Sequence, residues 1–279
     1  TTKVEGRERT DGISSTLTPL LPSARIPALL FCRKTTNRKG THMPEYGKPE
    51  YWDQRYGANS SNFDWYMSYQ GLKEHLEPYL KSDCRILMVG CGNSRLSEGL
   101  YEAGYKSIVN IDISSVCIEQ MKERYSQSHP DMDFITMDAT KLDLPSESFD
   151  VVIDKGTLDA ILCGTDSYEN AAAMLKEISR VLKPAGSLLV ITYGQPDTRM
   201  EHFEKRELSW STSHTLISAS GEDQEPGSTY HMYAMTKGGS GSSSSAGAVG
   251  ASVSAEEDDE QFYKAMEERI RSSAAVAGN

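Results

Sequence analysis

Two glycines and an acid at a set spacing are the residues of this 279-residue chain best suited to chemistry. The apolar run Ile86–Val89 is followed by Gly90 and Gly92, and a second apolar run, residues 108–111, ends at Asp112. Asp112 stands 20 residues after Gly92, which is a spacing used by βαβ nucleotide-binding units. In such units the glycines let the backbone approach the ligand, and the acid accepts hydrogen bonds from ribose hydroxyls. The spacing therefore predicts a site for an adenosine cofactor.

The residues after the second glycine distinguish between adenosine cofactors. A dinucleotide site carries a third glycine three residues further on, where a helix N-terminus meets the pyrophosphate, and Arg95 occupies that position here. S-adenosylmethionine (SAM) has no phosphate, but its ribose needs an acid and its adenine needs an edge partner. Asp138 and Ala139 follow a third apolar run, residues 134–136, and a carboxylate with an adjacent backbone amide can supply that partner. SAM is therefore the predicted cofactor.

A fourth apolar run, residues 149–153, leads into the segment 154–160, which reads Asp-Lys-Gly-Thr-Leu-Asp-Ala. Ligands of open parallel sheets bind beyond the carboxyl ends of the strands. We therefore expect segment 154–160 to face the reacting methyl group of the cofactor.

Together, the glycine loop, the second-strand acid and segment 154–160 resemble the seven-strand SAM-dependent methyltransferases. Segment 154–160 and segment 49–56, Pro-Glu-Tyr-Trp-Asp-Gln-Arg-Tyr, are similar to the branch that modifies lysines of translation elongation factor 1-alpha. The likeness extends from about residue 43 to residue 237. It implies an α/β fold with a doubly wound, Rossmann-like, seven-stranded sheet, mostly parallel, that ends in a C-terminal antiparallel hairpin. It also implies a SAM pocket lined by Trp52, Tyr56, Trp65, Gly90, Asp112, Ile113, Asp138, Ala139 and Lys155.

The resemblance implies protein-lysine methylation, with elongation factor 1-alpha or a similar basic translation protein as the protein substrate. A lysine must lose a proton before it attacks, so a carboxylate near the pocket, Asp154 or Asp159, can orient the amine and accept that proton through water. We hypothesise that Asp154 is the catalytic, orienting group. Thr157 and Leu158 are expected to form part of the lysine channel.

Several of these side chains have a second interpretation. The three aromatic residues can form a lid whose rings meet the sulfonium or the adenine, or they can pack an N-terminal helix onto the sheet. Lys155 can reach the cofactor or be a solvated surface charge. Arg55 can bind the methionine carboxylate through two hydrogen bonds, or it can form an ion pair with Asp53 or Asp64.

Two other functions share this fold or this cofactor. A small-molecule methyltransferase is one, because a fold does not determine its substrate. A non-catalytic SAM-binding scaffold that acts through its C-terminal helix is the other. A nucleic-acid partner is disfavoured by the formal net charge of −11, because neutralisation of phosphates dominates such binding. No run of 18 apolar residues is present, so no membrane partner is expected, and the sequence does not indicate an oligomeric state.

The five cysteines are odd in number and form no CxxC pair. This usage favours a reducing compartment, hence a cytoplasmic location, and gives no metal site. Cys91 lies within the glycine loop, where a small apolar filler is a better interpretation than a nucleophile.

Composition divides the chain into four parts. Residues 1–42 are basic and rich in Ser and Thr, and we expect a disordered leader with Met43 as the functional start. Residues 43–237 form the predicted SAM-dependent methyltransferase domain. Residues 238–254 are almost wholly Gly, Ser and Ala and are predicted to be a flexible linker. Residues 255–272 are predicted to form an acidic amphipathic helix.

Hydrophobic periodicity predicts the secondary structure of the central part. Helices are expected over residues 67–80, 94–103 and 167–182, with another that is capped by Ser114. Strands are expected over residues 85–89, 108–112, 134–136, 149–153 and 187–192. Residues 208–217 and 229–235 alternate polar and apolar side chains, as an antiparallel pair does, and residues 222–227 are expected to form the hairpin turn between them. The order of these elements predicts a parallel sheet with helices on both faces.

Overall fold

The computed structural model describes residues 46–218 and 228–238. These residues form a seven-stranded sheet in the order β3-β2-β1-β4-β5-β7-β6. The strands are β1 (Ile86–Val89), β2 (Ile108–Asp112), β3 (Met132–Thr136), β4 (Phe149–Lys155), β5 (Leu182–Thr192), β6 (Trp210–Ser218) and β7 (Thr229–Lys237). The helices are α1 (Pro49–Ala58), α2 (Tyr69–Leu76), α3 (Leu96–Glu102), α4 (Ser115–Tyr125), α5 (Thr157–Leu162), α6 (Ser167–Val181) and α7 (Pro196–Phe203).

The pairing of the strands confirms the predicted sheet. The first five strands are parallel to one another, with β1 between β2 and β4. The last two form the antiparallel hairpin, in which β7 pairs with both β5 and β6. The strand order reverses at β1, where the chain crosses from one half of the sheet to the other. Ligands of doubly wound sheets bind in the crevice at such a reversal.

Strand β1 shows why the sheet is buried on both faces. All four of its side chains are buried, with Ile86 and Met88 in one apolar cluster and Leu87 and Val89 in the other. A continuous apolar run of this kind is typical of a central parallel strand with helices on both sides. The ends of β1 and of its neighbours are therefore held by a core that leaves them little freedom.

The sequence pattern did not predict helices α5 and α7, and α5 is the one that bounds the site. Gly156 follows β4 with φ +89°, a left-handed conformation that glycine adopts without a Cβ penalty. The chain therefore turns sharply and starts a helix at Thr157. Several boundaries also differ from the prediction. The largest differences are that the 67–80 helix is α2 followed by a 3₁₀ turn at Pro78, and that β5 begins at Leu182.

Ser114 caps helix α4, as predicted. Its Oγ accepts a hydrogen bond from the Cys117 amide at 3.2 Å, which satisfies an amide of the first helical turn. The same hydroxyl donates to Asp53 Oδ1 at 2.6 Å. Helix α1, which carries Asp53, is therefore attached to the carboxyl end of β2.

Several predictions lie outside the described residues. These are the leader over residues 1–42, most of the linker over 238–254, the amphipathic helix over 255–272 and the hairpin turn over 222–227. Within the described part of the chain, no helix has the length and apolar character needed to cross a membrane.

Candidate active site

A cavity of about 290 Å³ opens at the carboxyl ends of the central strands. Its floor comes from the segments that follow β1, β2, β3 and β4, and α1 with the following loop forms its roof. The structure brings together in its lining all ten residues predicted to bind the cofactor: Trp52, Tyr56, Trp65, Gly90, Gly92, Asp112, Ile113, Asp138, Ala139 and Lys155. Their individual roles in binding stay predictions.

Asp112 is held rigidly at the end of β2. It is 7% exposed, and its two oxygens accept hydrogen bonds from the Gly92 and Ser114 amides, each at 2.9 Å. Burial raises the pKa of this carboxyl, while the amides act in the opposite direction. A carboxylate oxygen can accept more than one hydrogen bond, so Asp112 can hold the loop and accept hydroxyl groups of a ribose as well.

The glycine loop has the conformation that such a site requires. Gly90 and Gly92 have φ of +59° and +52°, a region that other residues enter at a cost. A Cβ on Gly92 would stand 2.7 Å from the Tyr56 hydroxyl, and one on Gly90 would stand 2.0 Å from Thr157 Oγ1. Both glycines are therefore required by backbone shape and by close packing.

The residues after β2 and β3 form a pocket suited to a flat ring. Ile113 is one of the large apolar residues that stay exposed, at 39%, and it lies against the cavity. Asp138 is fixed by its own turn, since Oδ1 accepts from the amide and the hydroxyl of Thr140, each at 2.8 Å. An apolar surface beside a fixed carboxylate matches the face and the amino edge of adenine, so the cavity fits SAM.

The aromatic residues act both as a lid and as packing. The rings of Trp52 and Tyr56 are stacked with centroids 5.9 Å apart, and Trp65 meets Trp52 edge to face at 6.5 Å. All three rings line the cavity while they also pack against the apolar core. The packing interpretation agrees with these contacts, and contact of the rings with the sulfonium or the adenine stays a prediction.

Arg55 lies over aromatic rings in this arrangement. Its guanidinium carbon is 4.9 Å from the Phe63 ring centroid and 5.3 Å from that of Trp65, so cation–π contacts hold it beside the cavity. The two acids considered as its partners are bound elsewhere: Asp53 accepts from Ser114 and Asp64 pairs with Lys155.

Lys155 is buried, which rules out the solvated surface charge. It is 7% exposed, and its Nζ donates to the Trp65 carbonyl at 2.9 Å and forms an ion pair with Asp64 Oδ1 at 3.2 Å. Lys155 therefore ties the roof of the cavity to the end of β4. Its side chain positions the lid and also contributes to the cavity wall.

Asp154, predicted as the catalytic group, has a structural role at the start of α5, and its catalytic role stays a prediction. Its side chain is fully buried, and its oxygens accept the Thr157 and Leu158 amides at 2.7 and 3.0 Å. Asp154 therefore caps the start of α5 and does not line the described cavity. Burial, with the nearby charge of Asp159, raises its pKa to about 7. The carboxylate therefore shapes the segment that bounds the site.

A buried group of side chains centred on Asp159, the second acid of segment 154–160, lies beside the cavity and was predicted only in part. Asp159 accepts hydrogen bonds from the Tyr66 hydroxyl at 2.6 Å and from the Tyr193 amide at 3.3 Å, and it forms an ion pair with Arg199 at 2.7 Å. Asp159 was considered as the alternative to Asp154, but Tyr66 and Arg199 were not predicted. The one sequence signal for Tyr66 was its place next to Trp65.

Cys91 has the surroundings of a filler. It is buried, and burial together with the charge of Asp112 raises the pKa of its thiol well above the usual value. The thiolate is the nucleophilic form of cysteine. The neutral, buried thiol therefore packs beneath the glycine loop.

Comparison with known proteins agrees with this geometry. Residues 87–190 match the family described as a methyltransferase domain. The mouse protein "EEF1A lysine methyltransferase 4" is 37% identical over 204 residues, which are 70% of this chain and 77% of that protein. The cattle protein of the same name is 35% identical over 231 residues, or 78% of this chain and 82% of that protein.

A longer relative and a solved structure extend the comparison. The mouse protein "eEF1A lysine and N-terminal methyltransferase" is 46% identical over 156 residues, 54% of this chain, and the match spans only 22% of that protein. The structure described as "Conversion of a Disulfide Bond into a Thioacetal Group during Echinomycin Biosynthesis" is 15% identical, with a TM-score of 0.51 over 79% of this chain and 99% of that chain. At that identity the likeness concerns the fold alone.

The fold and the cavity are those of a SAM-dependent methyltransferase. The chain belongs to the methyltransferase family that includes EEF1A lysine methyltransferase 4.

Proposed function

We propose that this protein methylates a lysine side chain of elongation factor 1-alpha, or of a similar basic translation protein, in the cytoplasm. The observation that carries the proposal is the cavity at the carboxyl ends of β1, β2 and β4, with Asp112 fixed at its floor. The names of relatives at 35–37% identity over most of the chain supply the substrate.

The residues of the chain divide the work of binding and shielding. Asp112 would hold the ribose, Asp138 and Ala139 the adenine edge, and the glycine loop the methionine end. When bound, SAM supplies an electrophilic methyl group on a sulfonium. Trp52 and Trp65 cover the cavity, and the π faces of aromatic rings attract cations. Exclusion of water strengthens each of these contacts.

A lysine acceptor sets a further requirement on the site. With a reference pKa of about 10.4, roughly one lysine in a thousand is neutral near pH 7.4, which corresponds to about 4 kcal/mol. Removal from water and the nearness of a positive charge both lower an amine pKa. A partly closed, aromatic pocket next to the cofactor supplies the first of these effects. Positioning of the neutral amine then carries most of the rate.

The charge of the chain is consistent with a basic protein target. The net charge of −11 favours association with a basic protein, because the overall field steers encounter. The same charge opposes binding to nucleic acid, in which phosphate contacts dominate affinity.

The test is transfer of labelled methyl from SAM by the full chain to recombinant, unmethylated elongation factor 1-alpha, with the labelled residue located by mass spectrometry. We expect a labelled lysine, and we expect Asp112→Asn to lower the label strongly at a SAM concentration near the wild-type Kd, where a roughly 10- to 150-fold weaker affinity leaves little SAM bound. Asp133→Asn, at an exposed acid on β3, is the matched control. SAM binding without any labelled protein would overturn the proposal and favour a small-molecule substrate or a non-catalytic scaffold.

A further inference from the structure

A second, much smaller cavity adjoins the first. It has a volume of about 20 Å³ and is bounded by the rings of Tyr46, Trp52, Trp65 and Tyr66 and by Asp159. Its walls at Trp52 and Trp65 are shared with the large cavity. A space of this size holds about one water-sized group, which is the size of a primary amine.

Tyr66 contributes its ring and its hydroxyl group to this largely aromatic space, beside Asp159. Its hydroxyl donates to Asp159 Oδ2 at 2.6 Å, and burial and the charge of Asp159 raise the pKa of the phenol well above its usual value. The hydroxyl therefore keeps its proton and directs it at Asp159. A phenolic oxygen that donates its proton can still accept hydrogen bonds, so Tyr66 can accept from an amine.

Asp159 is suited to orienting Tyr66 and not to receiving a proton. Arg199 pairs with its Oδ1 at 2.7 Å, and the Tyr193 amide lies 3.3 Å from Oδ2. The charge of Asp159 is thus balanced and both of its oxygens already accept hydrogen bonds. Its effect on an incoming group passes through the Tyr66 hydroxyl.

The backbone at Tyr66 is strained, and two anchors hold it. Tyr66 has φ +62°, and the Met67 amide donates to the Trp65 carbonyl at 2.7 Å across it. A non-glycine residue in such a conformation costs about 1–3 kcal/mol and persists only where its surroundings enforce it. Lys155, through the Trp65 carbonyl, and Asp159, through the hydroxyl, supply that enforcement. Strain of this kind concentrates at functional sites.

We propose that this small cavity, the Tyr66 pocket, receives the side-chain amine of the acceptor lysine. Tyr66 Oη accepts a hydrogen bond from the amine and aims its lone pair at the large cavity, with Asp159 and Arg199 as positioning residues. The proposal rests on the function proposed above. It follows from the order of the strands, because adenosine bound at β2 and β3 directs the other end of the cofactor towards β4, beside the Tyr66 pocket.

The reaction at this pocket consists of proton loss, methyl transfer and release of the product proton. The acceptor amine first loses a proton to water, and its lone pair then forms the new nitrogen–carbon bond. The bond between the methyl carbon and sulfur breaks, and its electron pair stays on sulfur as a thioether. The methylated nitrogen becomes positive, and Tyr66 Oη with the surrounding π faces stabilises the charge as it develops. The product ammonium releases its proton to water.

The test compares Tyr66→Phe with Tyr69→Phe, a control at a tyrosine of α2 that lines neither cavity. In the full chain, with unmethylated elongation factor 1-alpha, we expect Tyr66→Phe to lower kcat by about 10- to 100-fold, as loss of a hydrogen bond to a charged group does. Its SAM affinity, measured by calorimetry, should stay within about twofold of the wild type. Binding of elongation factor 1-alpha in the presence of S-adenosylhomocysteine should also weaken, which is a readout independent of turnover.

Asp159→Asn tests the positioning role. If Asp159 acts through the Tyr66 hydroxyl, Asp159→Asn should lower kcat in the wild type but should hardly lower it further in the Tyr66→Phe variant. The effects of two residues that act together are not additive. A labelled lysine with an unchanged kcat in Tyr66→Phe would overturn this inference alone. A loss of SAM affinity as large as the loss of kcat in Tyr66→Phe would also overturn it, since the hydroxyl would then serve to hold the lid over the cofactor. Absence of a labelled lysine with the wild type would overturn both proposals.

Discussion

Asp112→Asn tests the cofactor site most directly. An amide in place of the carboxylate keeps one acceptor oxygen, but it directs its NH₂ at either the Gly92 or the Ser114 amide, which now face the two carboxylate oxygens at 2.9 Å. One buried backbone N–H is left unsatisfied, which costs about 1–3 kcal/mol. The neutral side chain offsets part of that cost, because burial penalises the charge of Asp112.

The loss in cofactor affinity should exceed the loss in stability. Replacing a charged acceptor of a ribose hydroxyl removes about 1.5–3 kcal/mol, which raises the Kd for SAM roughly 10- to 150-fold. At a SAM concentration of 100 times the wild-type Kd, ligand stabilises the wild type by about 2.7 kcal/mol, and a 30-fold weaker variant by about 0.9 kcal/mol.

Calorimetry of SAM binding and urea unfolding with and without SAM measure both quantities. Asp133→Asn is the control, because this acid is exposed on the next strand of the same sheet and should leave both unchanged. Wild-type SAM affinity in Asp112→Asn would refute the reasoning, since the carboxylate would then serve only to hold the glycine loop.

Three further predictions concern the segments around the cavity, each measured by urea unfolding. Gly90→Ala places a Cβ 2.0 Å from Thr157 Oγ1 at a residue with φ +59° and should lower the free energy of unfolding by about 2–5 kcal/mol. The control Gly57→Ala, which has open space around its Cβ, should be neutral or stabilising. Equal effects of the two substitutions would contradict the packing argument. Lys155→Met removes the buried cationic partner of Asp64 and should lower the free energy of unfolding by on the order of 3 kcal/mol. It should also weaken SAM binding, and an unaffected SAM affinity would mean that the lid does not depend on this lysine. Burial raises the pKa of Asp154 to about 7, above its value in the unfolded chain, so the stability of the wild type falls as pH rises from about 4 to about 7. The stability of Asp154→Asn relative to the wild type should therefore rise between about pH 4 and about pH 7 and stay constant above that range, and a pH-independent difference would refute that shift.

The parts of the fold that were predicted correctly rest on local signals. Strand β2 and its terminal acid lie where the apolar run and the spacing from Gly92 put them. The cap of α4 depends on one hydroxyl and the amide three residues later. Such features extend over a few residues, so the sequence pattern contains them in full. The hairpin of β6 and β7 was predicted for the same reason, from its alternation of side chains.

The arrangement of the aromatic lid needed the tertiary structure. Arg55 was expected to bind the methionine carboxylate of the cofactor or to pair with Asp53 or Asp64. Its guanidinium lies over Phe63 and Trp65 beside the cavity. Nothing in the local sequence chooses between these outcomes, because the partners of Arg55 are decided by how α1 packs onto the sheet. The burial of Lys155 is also decided by packing, through Asp64 in the loop of the lid.

The contacts of the two acids of segment 154–160 could not be predicted from the sequence. Asp154 is the second-last residue of β4 and was expected to face the ligand, but the left-handed turn at Gly156 places the Thr157 and Leu158 amides on its oxygens. Asp159, one helical turn further on, is the acid that reaches the second cavity. Its partner Tyr66 lies 93 residues away in the chain, so no local pattern could join them. The segment therefore works by holding other residues in place: its first acid shapes α5, and its second acid orients a tyrosine.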